Sequence, residues 1–302
     1  VLWANPSSPH AEGRKAKQAL EDARGRIKAE LQWNGEVIFT SGASEALWIA
    51  LNRAKVERRI VSAVEHDAVF RAAPDAETSS DESVFDAETL LAVQHVNSET
   101  GVINPVSAMC ETLRPTGALL LSDCAQSAGK LTLPETDMLV ISAHKLGGPI
   151  GIGALLVRDF NLLEPMGGHE RGYRQGTENL PAALGFAAAL EAGEWATTPE
   201  ERSAFANELG ADLLTFGEQT DYIFAIAHPK MSAQALLIRL DGQGFAVSAG
   251  SACSSGTLKK SRVLDAFGVS DEVAARTIRV SLGWNTTTAE LDRFIETWRA
   301  LQ

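Results

Sequence analysis

Cysteine is scarce: the 302 residues hold three, Cys110, Cys124 and Cys253. They are an odd set with no Cys-x-x-Cys spacing, which excludes a disulfide framework and a zinc ribbon, and no metal site is expected. Such sparse usage fits a reducing, cytoplasmic setting, where a cysteine that matters is reactive rather than structural. Long apolar runs are missing too. No stretch approaches the roughly 18 apolar residues of a membrane span, so no membrane partner is expected. Residues Val1 to His10 have neither the basic start nor the apolar stretch of a secretory leader. The chain starts with Val1 rather than methionine, and part of the natural N-terminus is expected to lie ahead of it. Positive charge is in deficit: 27 Lys and Arg stand against 39 Asp and Glu, a net charge of −12. Neutralising phosphates needs an excess of Lys and Arg, so no nucleic-acid partner is expected. Internal repeats and low-complexity tracts are absent.

What is present is the balance of an enzyme-sized globular chain, 45% hydrophobic and 22% charged. At roughly 100–200 residues per domain, two domains are expected. Glu12 to Leu31 carries Ala, Leu and Ile at helical spacing among charges, the pattern of a surface helix. Asn34-Gly35 is a turn and Glu36–Thr40 a short strand, after which Ser41-Gly42 opens a helix to about Ala54. Further strands are expected at Arg59–Ala63, Leu90–Val96, Gly117–Ser122, Met138–Ser142 and Gly151–Val157, with Asp75–Glu82 a solvated acidic loop. Strands alternating with helices, and polar residues just past strand ends, predict an α/β fold around a mostly parallel sheet. Ligands of such sheets gather at the carboxyl ends of the strands. Beyond Asn179 come long helical patterns at Leu180–Trp195 and Glu200–Phe216, then short strands at Ile223–Ala227 and Gly244–Ser248. A Ser/Gly/Cys loop, a strand at Thr277–Leu282 and an amphipathic helix at Ala289–Leu301 follow. The expected division is a large domain over residues 11–185, a smaller α+β domain over 186–302, and an N-terminal segment of residues 1–10.

Asp123 and Lys145 each come after an apolar run, Ala118–Leu121 and Met138–Ile141. Alone, either residue is explained by a structural ion pair. Together they suit pyridoxal 5'-phosphate, which needs a lysine for its Schiff base and an acid to keep its ring nitrogen protonated. Burial at a strand end is expected to lower the lysine pKa and favour the free amine. Thr40-Ser41-Gly42-Ala43-Ser44 lies between a strand and a helix. Its glycine permits close approach, its hydroxyls donate, and the helix start favours an anion; alone it is only a helix cap. Ser142 and His144 are within reach of the same phosphate. His66 follows a strand, placed to stack on a ring and move protons, or simply a surface or core histidine. Cys253 sits among small residues, from Ser248 to Gly256, in a pliant loop able to carry a thiol to a substrate. Cys110 and Cys124 have apolar neighbours and are expected to be buried and inert. Arg279 is a charge inside a strand-like run, either a structural salt bridge or a clamp on a substrate carboxylate.

These segments resemble, in order, the cysteine desulfurases of the NifS/IscS type, class V members of the fold-type I pyridoxal phosphate enzymes. The resemblance runs over nearly the whole chain: Asn5–His10, Phe39–Glu45, Glu65-His66, His95–Gly101, Asp123–Lys130, Ser142–Pro149, Gly168–Asn179, Ser251–Cys253 and Ile278–Gly283. It implies that Lys145 carries the cofactor, that Asp123 bonds the ring nitrogen and Gln126 the ring hydroxyl, and that His66 stacks on the ring. Ala43, Ser44, Ser142 and His144 would hold the phosphate, with Thr177 reaching it from the other subunit of a homodimer. Asn97 and Arg279 would bind the carboxylate of L-cysteine. Cys253 would attack the substrate sulfur, keeping it as a persulfide for an acceptor protein, a scaffold or a sulfur carrier, while alanine leaves. Iron–sulfur cluster assembly or tRNA thiolation would be the destination.

The chain departs from the family pattern in places. Ser44 stands where many relatives carry threonine, the span from His66 to Leu90 is abbreviated, and the Asp-x-x-Ala-Thr-Thr-like stretch that precedes Asn5 in relatives is missing. The alternatives are a selenocysteine lyase or other class V enzyme, and a non-catalytic homologue serving as a scaffold. A scaffold needs none of Lys145, Asp123, His66, Cys253 and Arg279.

Overall fold

The structure, a computed structural model, describes residues 4–80, 82–249 and 261–302. The chain forms two compact units, the first reaching to His95 and resuming over Pro105–Gly193, the second made of Val96–Asn104 and Glu194–Gln302.

In the first unit the helices are α1 (Ala11–Glu30), α2 (Ala43–Arg53), α3 (Asp67–Ala72), α4 (Val106–Leu113) and α5 (Leu180–Glu191). The strands are β1 (Glu36–Thr40), β2 (Arg58–Val61), β3 (Glu77–Thr78), β4 (Thr89–Ala92), β5 (Leu119–Asp123), β6 (Met138–Ser142) and β7 (Gly153–Val157). They form one sheet in the order β1-β7-β6-β5-β4-β2-β3. Strands β6, β5, β4, β2 and β3 pair in parallel, while β7 runs antiparallel to both β6 and β1. Strand β1 therefore points the same way as the parallel strands.

The central strands are apolar throughout because both faces are covered. Val37, Phe39, Leu139, Ile141, Ala154 and Leu156 face Ala16, Leu20, Ala23 and Ile27 of α1 and Ala183, Phe186 and Leu190 of α5. The alternate residues Ile38, Met138, Val140 and Leu155 face Ala46, Leu47, Ile49 and Ala50 of α2. Phe186 is fully buried, and truncation to alanine would cost about 3–5 kcal/mol.

Strand β1 lies at the sheet edge, and its outward backbone groups are satisfied by side chains. The Arg24 guanidinium donates to the Val37 carbonyl and to Glu170 Oε2 at 2.9 Å, while the Phe39 amide donates to the same oxygen at 2.8 Å. Arg24 is 5% exposed and Glu170 4%, so this buried ion pair does the work of a missing neighbouring strand.

The second unit carries α6 (Pro199–Leu209), β8 (Ile223–Ala227), α7 (Ala233–Asp241), β9 (Ser248–Ala249), α8 (Arg262–Ala266), α9 (Asp271–Ala274), β10 (Thr277–Ser281) and α10 (Thr288–Leu301). Among the described residues its three strands are antiparallel in the order β8-β10-β9. Capping boxes at Thr198/Glu201 and Thr287/Glu290 start α6 and α10. Phe205 of α6 packs its ring at a tilt against Phe294 of α10 and Phe224 of β8.

The division of the chain differs from the expected 185/186 boundary. That cut would pass through α5, whose apolar face packs wholly on α1 and the sheet of the first unit. Residues Val96–Asn104 join the second unit, where the Ile103 amide bonds the Glu218 carbonyl at 2.9 Å. The acidic loop at Asp75–Glu82 contains β3, two exposed residues that pair along the sheet edge offered by β2. The helix expected over Glu200–Phe216 stops at Leu209, where Gly210 turns to φ +56°. Helices α3, α4, α7, α8 and α9 are additions. Among the described residues no helix is long and apolar enough to cross a membrane.

Candidate active site

Six of the described strands of the first unit run in one direction, β1 among them, so the residues that follow their ends share one edge of the sheet. Strand β1 delivers Thr40 and the Ser41-Gly42 turn, and β2 leads to His66, the N-cap of α3. Asp123 is the last residue of β5, with Gln126 three residues on; Ser142 is the last of β6, followed by a tight helical turn over Ala143–Leu146 with His144 and Lys145.

The β1–α2 turn has a geometry that suits an anion. Gly42 is the N-cap of α2 with φ 154° and ψ −179°, a conformation open only to glycine, and α2 has no side-chain cap. The amide end of the helix is therefore without a side-chain cap, a setting that suits an anion. A Cβ on Gly42 would stand in open space, the room a phosphate needs. Gly153 explains how two strands bring their ends to this point. It pairs with Thr40 on one side and Ser142 on the other, and a Cβ there would sit 2.8 Å from Gly42 Cα. Ser44 is exposed beside the turn, whereas Ser142 is buried with its Oγ 2.9 Å from His144 Nδ1.

Asp123 is partly buried, and its Oδ1 accepts the Ala125 amide at 2.9 Å. Desolvation pushes its carboxyl above the ordinary range, opposed by that amide and by the charges of His66 and Lys145. His66 keeps a solvent-facing surface while its Nδ1 accepts the Ala68 amide at 3.1 Å. In the neutral ring the proton is thus assigned to Nε2. Partial burial lowers its pKa, against the pull of Asp123. His144 is lowered as well, by burial first and Lys145 second. Lys145 itself is exposed on its turn, which corrects the expectation of a buried amine. The turn's helical geometry carries it past the apolar strand and out onto the surface. Its charge is felt by Lys130, whose ammonium burial and Lys145 together push down to about 8.

Thr177 is exposed, in the loop that precedes α5. That loop is fastened at Glu170 by Arg24, and Glu170 and Arg171 adopt positive φ of 48° and 58° to make the bend. Sequence reasoning missed the Arg24–Glu170 pair, although a charge on the apolar stripe Ala16-Leu20-Ala23-Ile27 of α1 was the available signal.

In the second unit, Asn97 Oδ1 accepts from the Glu99 and Thr100 amides, both at 2.9 Å, and shapes its own turn. Arg279, on β10, donates to the Ser98 carbonyl of that turn at 2.7 Å and to Ser248 Oγ at 3.2 Å. Among the described residues its buried Nε has no acceptor. Desolvation lowers the Arg279 pKa, with Glu99 opposing. A donor fork held this way suits an incoming carboxylate. Cys253 lies outside the described residues. Cys110 and Cys124 are buried, and burial pushes the Cys124 thiol up to about 12. A separate cavity of about 650 Å³ opens at the other edge of the large sheet, lined by Trp33, Arg114, Lys130, Pro134 and Arg158; it holds none of the candidate site residues.

An open anion cradle, a nearby amine and an acid at a middle strand end, all on one edge of a mostly parallel sheet, define a fold-type I pyridoxal phosphate enzyme. The chain belongs to the class-V aminotransferase family, whose sequence pattern matches residues 2–89 and 76–294. It is 32% identical to cysteine desulfurase IscS 1 of Archaeoglobus fulgidus, over 97% of this chain and 88% of that protein. It is 34% identical to cysteine desulfurase IscS of Shewanella sp. strain MR-4, over 98% of this chain and 84% of that one. Among solved structures, a NifS-like protein superposes with a TM-score of 0.87 at 28% identity, covering 99% of this chain and 91% of its own. SspA, solved in complex with cysteine, gives 0.79 at 27% identity, covering 95% and 92%. Pyridoxal 5'-phosphate is the cofactor that comes with this family.

Proposed function

We propose that the protein is a cysteine desulfurase that converts L-cysteine to L-alanine and holds the sulfur on Cys253 for an acceptor protein. The observation that carries the substrate is Arg279, half-buried on β10 with its buried Nε unclaimed among the described residues, against the turn of Asn97. We also assign it a homodimeric, cytoplasmic form serving iron–sulfur cluster assembly or tRNA thiolation. The exposed Thr177, on a loop anchored at its base, supports a site shared between subunits.

When bound, pyridoxal phosphate supplies an electron sink for the substrate carbon next to the carboxylate. Lys145 offers the amine that would carry it and a base able to take and return the proton at that carbon. The open Gly42 turn, Ala43, Ser44, Ser142 and His144 would hold its phosphate, and Gln126 its ring hydroxyl. Asp123 fits the ring nitrogen, because a proton shared at that position relieves the desolvated carboxyl. His66, neutral at physiological pH, is suited to stack on the ring and to exchange a proton through Nε2. Arg279 orients the substrate carboxylate; the Oδ1 of Asn97 is committed to its turn, so Asn97 contributes through its Nδ2 donors.

The test is alanine formation from L-cysteine by the pyridoxal phosphate-loaded protein, with sulfide release on addition of dithiothreitol, which reduces the persulfide. Cys253→Ser is expected to keep the cofactor absorbance and lose alanine formation, while Cys110→Ser and Cys124→Ser turn over. Alanine formation by Cys253→Ser at the unmodified rate would end the persulfide route and favour a selenocysteine or general lyase.

A further inference from the structure

We propose that Arg174 is a positioning residue for the cofactor's phosphate, acting through Glu45; this rests on the pyridoxal phosphate assignment above. Glu45 is the third residue of α2, and its carboxylate curls back over the helix start, where Oε2 accepts the Ser41 amide at 2.5 Å. A carboxylate in that position steadies the turn, as in a capping box. It also sets a negative charge at the end of the helix that attracts anions. A phosphate dianion brought to Gly42 would meet a like charge there.

Arg174 removes that conflict. Its Nε lies 3.1 Å and 3.2 Å from the two Glu45 oxygens. The two side chains are 17% and 28% exposed, withdrawn enough for their attraction to escape most screening. The arginine is delivered from a fixed base: the His169 amide donates to the Arg174 carbonyl at 2.8 Å and the Arg174 amide to the His169 carbonyl at 3.2 Å. The next residue, Glu170, is locked by Arg24 and the Phe39 amide of β1. The loop and the cradle are thus joined twice, once to β1 and once to α2. Glu45 keeps its hold on Ser41 while its charge is neutralised.

This arrangement makes an unusual demand on mutants, which separates it from a purely structural salt bridge. The apo-protein and its variants are titrated with pyridoxal phosphate and with pyridoxal, which has the ring and no phosphate. Arg174→Ala is expected to weaken pyridoxal phosphate about tenfold, the scale of one charge-assisted hydrogen bond, and to leave pyridoxal unchanged. Adding Glu45→Gln to Arg174→Ala is expected to restore affinity to within about twofold of wild type, because glutamine still accepts from Ser41 without the charge. Glu45→Gln alone is expected to bind pyridoxal phosphate at least as tightly as wild type, and it tests the same point if Arg174→Ala fails to fold. Unchanged affinity in Arg174→Ala, equal losses for pyridoxal and pyridoxal phosphate, or a further loss on adding Glu45→Gln would each overturn the proposal. A wild-type protein that binds no pyridoxal phosphate would instead overturn the cofactor assignment.

Discussion

The two units place their candidate residues by different physical means. In the first, Ser142, Lys145, Asp123 and the Gly42 turn arrive at one edge because parallel strands end there, and a core covered on both faces holds those strands. In the second, Arg279 and the Asn97 turn meet through a hydrogen bond between residues 181 positions apart in the chain. The first arrangement follows from a repeating rule of sheet architecture; the second depends on individual donors and acceptors. Losing one side chain at the strand ends should therefore change chemistry and spare the fold. Losing one from a buried polar network should change geometry.

Lys145→Ala makes the strongest trial of that contrast. Because Lys145 is exposed, the variant is expected to melt like the apo wild type. It should give no borohydride-reducible cofactor and turn over L-cysteine at least about a thousandfold more slowly. A yellow, reducible Lys145→Ala protein would move the cofactor to another amine.

Glu170→Gln probes a network in the first unit. It leaves Arg24 buried at the edge of β1 with Glu21 as its remaining carboxylate partner, a loss of about 1.5–3 kcal/mol, the scale of one charged hydrogen bond. Urea denaturation of the apo-protein should show that loss. A midpoint equal to wild type would mean that β1 needs no side-chain cover.

Arg279→Lys sharpens the second unit's side of the comparison. Lysine cannot reach Ser98 and Ser248 and still present a fork to a carboxylate. The KM for L-cysteine is expected to rise about 10–100-fold with cofactor absorbance unchanged. An unchanged KM would remove Arg279 from substrate binding.

The smallest effect is a pH dependence in the first unit. Partial burial lowers the His66 pKa below its ordinary 6.5. The unfolded chain therefore binds the proton more readily, and the stabilisation is fully present above about pH 6.5 and is lost as pH falls through the lower folded value. Asp123, raised, acts in the opposite sense. With the ring partly in water, His66→Gln should flatten the pH slope of apo stability by less than about 1 kcal/mol between about pH 7 and 5. A steeper slope in His66→Gln would reverse the sign.

Much of the first unit was legible in the linear order. The runs before Asp123 and Ser142 are apolar at every position, which marks strands buried on both faces, and a polar residue just after such a run marks a ligand edge. The glycine in Thr40-Ser41-Gly42 announced a turn, but neither the φ of 154° that requires it nor the close approach of Gly153 at the start of β7 could be read there. The antiparallel entry of β7 between β1 and β6 left no periodic trace, since a buried strand reads the same in either direction. Lys145 was expected to be buried with its strand, and the turn that exposes it could be seen only in three dimensions.

The sequence by itself determined the α/β class, the succession of strand ends and the family that the motifs resemble. These depend on local periodicity and on short motifs whose chemistry is carried within a few residues. Only the tertiary structure decided that Val96–Asn104 belongs with the second unit, that Arg24 and Glu170 close the edge of β1, and that Arg174 reaches Glu45. Each joins residues far apart in the chain, and a pairing of that kind depends on which backbone groups the folded core leaves unsatisfied, a quantity that does not exist until the chain is folded.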